Sequence, residues 1–196
     1  LALPADPWKH YRELKKQYPP LAYTWLATIN AGFSLQQVRG WAKSAIDRQS
    51  ISIFESQRQL IEFLRKLEFK IFVVTASVKW AVEPAAALLG FSFDEVLGVC
   101  TAIENGLVSS APVEPITWRQ GKATALLNAT GGVRPLFCSG NTLGDIALLE
   151  LSEGPCLAIR SQPEPLTNEA PSPLYLEEIQ LWDAALKNHW HRHAFR

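Results

Sequence analysis

Three short stretches carry side chains suited to work on a phosphate. Thr75 and Ser77, in "TAS" at 75–77, directly follow the apolar run "KIFVV". Lys122 stands near the start of the pattern "WRQGKATALLNATGG". Asn141, Thr142 and Asp145, in "SGNTLGD" at 139–145, lie between the apolar runs "RPLFC" and "IALLELS". A lysine ammonium neutralises phosphate charge, and hydroxyls and backbone N–H groups at helix starts donate to its oxygens. Amide and carboxylate oxygens suit a hard cation such as Mg²⁺. Each residue alone has a plain structural reading: a cap for Thr75 or Ser77, a solvated helix residue for Lys122, a dipole partner for Asp145. Their order along the chain points to a phosphate and metal site.

The elements that must position them alternate. "SQRQLIEFLRKLEF" has helical spacing, "KIFVVTAS" reads as a strand covered on both faces, and "WAVEPAAALLG" as a helix. "DEVLGVCTAI" reads as a strand leading into an "ENGL" hairpin turn; then come the Lys122 helix, a strand over "RPLFC", a helix over "TLGDIALLELSE" and a strand over "GPCLAI". This order predicts an α/β fold with a doubly wound parallel sheet, whose ligands sit at the carboxyl ends of the strands. Residues 1–52 predict a small all-helical module, with an Asp6 cap and Pro7 opening one helix and Ser34 capping another. We expect an α/β core over 53–160 and, over 161–196, a Pro-rich linker "SQPEPLTNEAPSPL" and a terminal amphipathic helix "YLEEIQLWDAALKNHWHRHAFR".

Composition narrows the classes. Lys+Arg and Asp+Glu are equal at 19 each, so no net field favours nucleic acid, and no apolar run approaches a membrane span. Cys100, Cys138 and Cys156 are too far apart for a metal knuckle and read as small buried hydrophobes. His189, His191 and His193 in "HWHRH" read as a frayed helix end rather than a metal tract, and "NAT" at 128–130 as a chance sequon. Trp8, Tyr11, Tyr23, Trp25 and Trp41 crowd the helical module. They predict its core, with Trp25, and Trp80 beyond the Thr75 loop, as candidates to contact a substrate's leaving group.

Together these segments resemble the haloacid dehalogenase-like phosphatases, in the branch containing phosphoserine phosphatase and phosphorylcholine phosphatase-like enzymes. "FVVTAS" is similar to that superfamily's second motif, "TWRQGKATAL" to its third, and "SGNTLGD" to its acidic fourth, with Asn141 where a carboxylate is usual. The likeness spans roughly 50–160, and the N-terminal helices resemble the branch's helical cap. It implies Mg²⁺-dependent hydrolysis of a small phosphomonoester through an aspartyl-phosphate. By the same resemblance Thr75 binds a phosphoryl oxygen, Lys122 pairs with nucleophile and phosphate, Ser77 and Thr142 contact substrate, and Asn141 and Asp145 serve the metal. Asn141 lowers the site's charge by one, so weaker Mg²⁺ binding than in an Asp version is expected. The family's first motif, Asp-x-Asp, occurs nowhere in these 196 residues. Since the chain starts at Leu and contains no Met, the nucleophile is expected upstream of Leu1. The alternative is a catalytically inactive relative that binds a phosphorylated ligand or a partner. A nucleotide-binding doubly wound domain fits less well, because no glycine-rich loop follows a first strand. The expected location is cytoplasmic, or periplasmic if a signal peptide precedes the chain.

Overall fold

Capping chemistry sets the N-terminal helices. The computed structural model describes residues 3–49, 51–165 and 170–195. The Asp6 carboxylate accepts from the Lys9 N–H at 2.9 Å and starts α1 (Pro7–Gln17), where the N–H missing from Pro7 is no loss. α2 (Pro19–Thr28) follows the next proline break. Ser34 and Gln37 cap α3 (Leu35–Asp47) reciprocally, each side chain accepting from the other's backbone N–H.

The chain forms two compact units, Leu1–Trp118 and Arg119–Arg196. The first adds α4 (Glu55–Lys66), β1 (Val73–Val78), α5 (Lys79–Ala87) and β2 (Val96–Val99), with β1 and β2 paired in parallel. β3 (Thr101–Glu104) and β4 (Leu107–Pro112) form an antiparallel hairpin. Its turn holds Asn105 at φ 52° and Gly106 at φ 79°, the two left-handed residues that a tight hairpin with matching twist requires. Ala27, Val38, Val78, Trp80, Val99 and Val108 make one buried cluster. α2 and α3, from the segment expected as a helical cap, therefore share a core with β1, β2 and the hairpin. Trp8 and Trp41 are exposed rather than part of that core, while Tyr23 packs against it.

The second unit contains α6 (Gln120–Thr130), β5 (Cys138–Gly140), a 3₁₀ turn at Leu143–Asp145, α7 (Ile146–Leu149), β6 (Cys156–Arg160), α8 (Pro173–Lys187) and β7 (His191–Ala194). The strands pair in parallel in the order β5-β6-β7. The parallel α/β class expected from the alternation is present. Three local expectations are corrected. The strand over "RPLFC" shrinks to Cys138–Gly140, because Pro135 and Pro155 have no N–H to give a ladder and pairing begins only at Cys138↔Cys156. The helix over "TLGDIALLELSE" is only the 3₁₀ turn and α7, since Gly154-Pro155 must lead the chain into β6. The terminal helix stops at Lys187; His189 takes φ 57° and "HWHRH" delivers β7 to the open edge of β6, with Leu157↔His191 through Arg160↔Ala194 in register. A strand edge with free N–H and C=O groups outweighs the weak helical preference of a His-rich tail.

All three cysteines are free, Cys138 and Cys156 buried and Cys100 half-buried. Part of the expected linker, residues 166–169, lies outside the described residues. Among the described residues, no helix is long and apolar enough to cross a membrane.

Candidate active site

In the second unit, Lys122 is the third residue of α6 and only 8% exposed. Its Nζ reaches Asp145 Oδ1 at 2.5 Å. The other oxygen, Oδ2, accepts from the Asn141 and Thr142 backbone N–H groups, both at 3.0 Å, and from the Thr142 hydroxyl at 3.4 Å. Asp145 therefore folds the 139–145 loop around itself and anchors it to α6. Gly140 permits this closeness, for a Cβ there would lie 2.5 Å from Asp145 Cβ. Thr142, expected to contact substrate, is engaged with Asp145 instead.

Asn141 points its amide nitrogen at Glu178 Oε1, 3.2 Å away on α8. Glu178 is fully buried and also accepts from the Ser161 hydroxyl at 2.6 Å and from the Ser161 and Gln162 backbone N–H groups at 3.0 and 2.9 Å. Burial alone would raise its pKa. The Ser161 hydroxyl, the Gln162 amide, the Asn141 side chain and the Ser161 amide together outweigh burial and hold the carboxyl below the ordinary glutamate value. Sequence reasoning missed this residue. The signal was a carboxylate on the apolar stripe of α8, at 178, with Leu181 and Ala185 buried at helical spacing and Glu177 turned to solvent.

Four other expected residues belong to the first unit. The Thr75 hydroxyl, in β1, accepts from the Ser77 N–H at 3.1 Å, which leaves its own hydrogen available to donate. The Thr75 carbonyl accepts from the buried Thr117 hydroxyl at 2.5 Å, fixing this stretch of backbone. Ser77 is exposed. Trp25 is half-buried, edge-on to His10 with ring centroids 5.0 Å apart. Trp80 is corrected: it is 4% exposed inside the core cluster, because α5 turns position 80 inward toward Val78 and Val99.

The donor set does not by itself fit a resident Mg²⁺. Both Asp145 oxygens are committed to Lys122 and the loop, so its expected role as a ligand is not what this geometry offers. Asn141 contributes one neutral oxygen. Among the described residues, no group of three His, Cys, Asp or Glu side chains is arranged to hold a metal, the "HWHRH" histidines included.

The fold is α/β with parallel strands, and a lysine–aspartate pair locks a glycine loop after one of them. Residues 3–150 match the haloacid dehalogenase-like hydrolases, and the chain belongs to that family. No curated protein matches the sequence at a significant level. Solved structures share the fold. A protein of unknown function from Bordetella pertussis Tohama I aligns over 96% of this chain and 83% of its own, with TM-score 0.71 and 16% identity. A conserved, functionally unknown protein from Anaerococcus prevotii DSM 20548 aligns over 84% of this chain, which spans about half (50%) of that protein, with TM-score 0.63 and 15% identity. Cytosolic 5′-nucleotidase IIIB bound to cytidine aligns over 96% of this chain and 66% of its own, with TM-score 0.56 and 12% identity. Identities this low speak to the fold alone.

Proposed function

We propose that this hydrolase acts on a small phosphomonoester. The observation that carries the reading is the buried Lys122–Asp145 pair, which fixes the 139–145 loop against α6. A rigid cation beside a loop of short polar residues suits a dianionic phosphoryl group, because preorganised charge needs no reorganisation when the ligand arrives. Lys122 balances negative charge at the phosphate. In the first unit, Thr75, with its hydroxyl hydrogen uncommitted, and the exposed Ser77 are the candidate phosphoryl-oxygen donors of this reading. In this reading the N-terminal segment contributes specificity, with Trp25 a candidate to contact the leaving group. The aspartyl nucleophile of this reading would come from an Asp-x-Asp pair, and none occurs in residues 1–196.

That absence favours a second reading, a relative that binds a phosphorylated ligand without turnover. Hydrolysis of p-nitrophenyl phosphate and of a panel of phosphorylated metabolites, with and without Mg²⁺, separates the two when run on the 1–196 polypeptide and on the natural gene product. Turnover abolished by Lys122→Ala supports the hydrolase. Binding of inorganic phosphate without turnover in either preparation supports the second reading and defeats the first.

A further inference from the structure

Glu178 is buried, and among the described residues it is held by neutral donors from Ser161, Gln162 and Asn141, with no ion pair to a cation. We propose that Glu178 is the positioning residue of the 139–145 loop: it takes the Asn141 amide nitrogen and so presents the Asn141 carbonyl oxygen as the loop's open acceptor. An ionised carboxylate only accepts hydrogen bonds, so only the nitrogen end of the amide can face it. The Asn141 oxygen, on the opposite side of that amide, makes no hydrogen bond among the described residues and is not a buried orphan. Three donors from 161 and 162 hold the carboxylate in place independently of Asn141, so the loop docks on a preset group. That the open oxygen serves the ligand of this loop rests on the phosphomonoester reading; the orientation itself does not.

The pairing also accounts for the asparagine. An aspartate at 141 would set a second carboxylate against Glu178, and two buried like charges at hydrogen-bond distance disfavour one another strongly. The neutral residue at 141 and the charged residue at 178 are thus one matched choice. A gain in Mg²⁺ binding from Asn141→Asp alone, expected from the loop's charge count, is opposed by Glu178. Glu178→Gln should release it: the glutamine oxygen can stay on the Ser161 and Gln162 amides while its nitrogen donates to Asp at 141, with the Ser161 hydroxyl turning to accept.

The test compares wild type, Asn141→Asp, Glu178→Gln and the double variant in the full chain. Urea midpoints and the Asn141 side-chain amide resonances, assigned by their loss in Asn141→Asp, are measured. Asn141→Asp is expected to lower the midpoint by on the order of 1 M, and the double variant to regain at least half of that loss. The Asn141 amide resonances are expected to shift in Glu178→Gln. A double variant no more stable than Asn141→Asp, or resonances unmoved by Glu178→Gln, would overturn the proposal. If Glu178→Gln does not fold, Asn141→Ala replaces it: a midpoint clearly above that of Asn141→Asp supports the charge conflict, and an equal one overturns it. None of these readouts needs turnover, so an absence of turnover in both preparations ends the hydrolase reading and leaves the role of Glu178 still decided.

Discussion

Lys122 and Asp145 meet at 2.5 Å as an ion pair whose side chains are 11% and 8% exposed. A buried pair is strongly destabilised when one partner is removed, because the other charge is left in a low dielectric without compensation. Lys122→Met and Asp145→Asn are each expected to lower unfolding free energy by about 3–5 kcal/mol. The double variant should lose less than the sum of the two. Urea denaturation of the three proteins checks this; strictly additive losses would mean that the pair is not coupled.

Gly140→Ala tests the same loop without touching charge. Its new Cβ would fall 2.5 Å from Asp145 Cβ and 2.8 Å from Asp145 Cγ, so the carboxylate must be displaced. A loss of about 1–3 kcal/mol is expected, with any phosphatase turnover falling alongside it. Gly144→Ala is the control, since the nearest atom to its Cβ is the Thr142 hydroxyl oxygen at 3.4 Å. It should stay within about 0.5 kcal/mol of wild type. Equal effects at the two positions would contradict the packing described.

Trp80 belongs to the core, which separates its predicted effects from those of a binding residue. Trp80→Ala should cost about 3–5 kcal/mol by opening a cavity among Val38, Val78, Val99 and Val108. Trp80→Phe should be far milder, because it also removes an indole N–H that is buried without an acceptor. Thermal denaturation gives the ranking. A KM raised severalfold by Trp80→Phe at unchanged stability would restore Trp80 as a substrate contact.

The N-terminal helices and the hairpin were legible because local chemistry writes them: Asp6 before Pro7 and Ser34 at helix starts, Asn105-Gly106 at the turn between β3 and β4. Lys122, Asn141 and Asp145 were singled out by their order along the chain and by the motifs their segments resemble, but nothing local says that Lys122 and Asp145 pair. What the sequence hid was tertiary in origin. β7 exists because β6 offers an unpaired edge, and nothing local in "HWHRH" reveals that edge. Trp80 sits five residues beyond Thr75, which made it look like a ligand contact, yet one turn of α5 rotates it inward. Glu178 resembled a solvated helix glutamate, and only the burial of its stripe on α8 distinguishes it from Glu177.

Cys138 supplies a pH dependence. Burial above all, then the neighbouring Cys156, pushes its thiol from the ordinary 9.0 up to about 12, with the Ser152 hydroxyl opposing weakly. Between these values the unfolded chain has lost the proton and the folded chain keeps it, so stability falls as pH rises above about 9. Urea midpoints measured from pH 8 to pH 11 should decline, and less steeply in Cys138→Ala. The native thiol should also resist iodoacetamide at pH 8, where the thiolate is the reactive form. Rapid labelling of Cys138 in the folded protein would contradict its burial.

The Asn141–Glu178 contact joins positions 37 residues apart. During synthesis at about 5–20 residues per second, the loop emerges roughly 2–7 s before α8 can reach it. In that interval Lys122 and Asp145 can already pair, being separated by only 23 residues. The partner that fixes the loop's charge is thus available before the one that orients its amide.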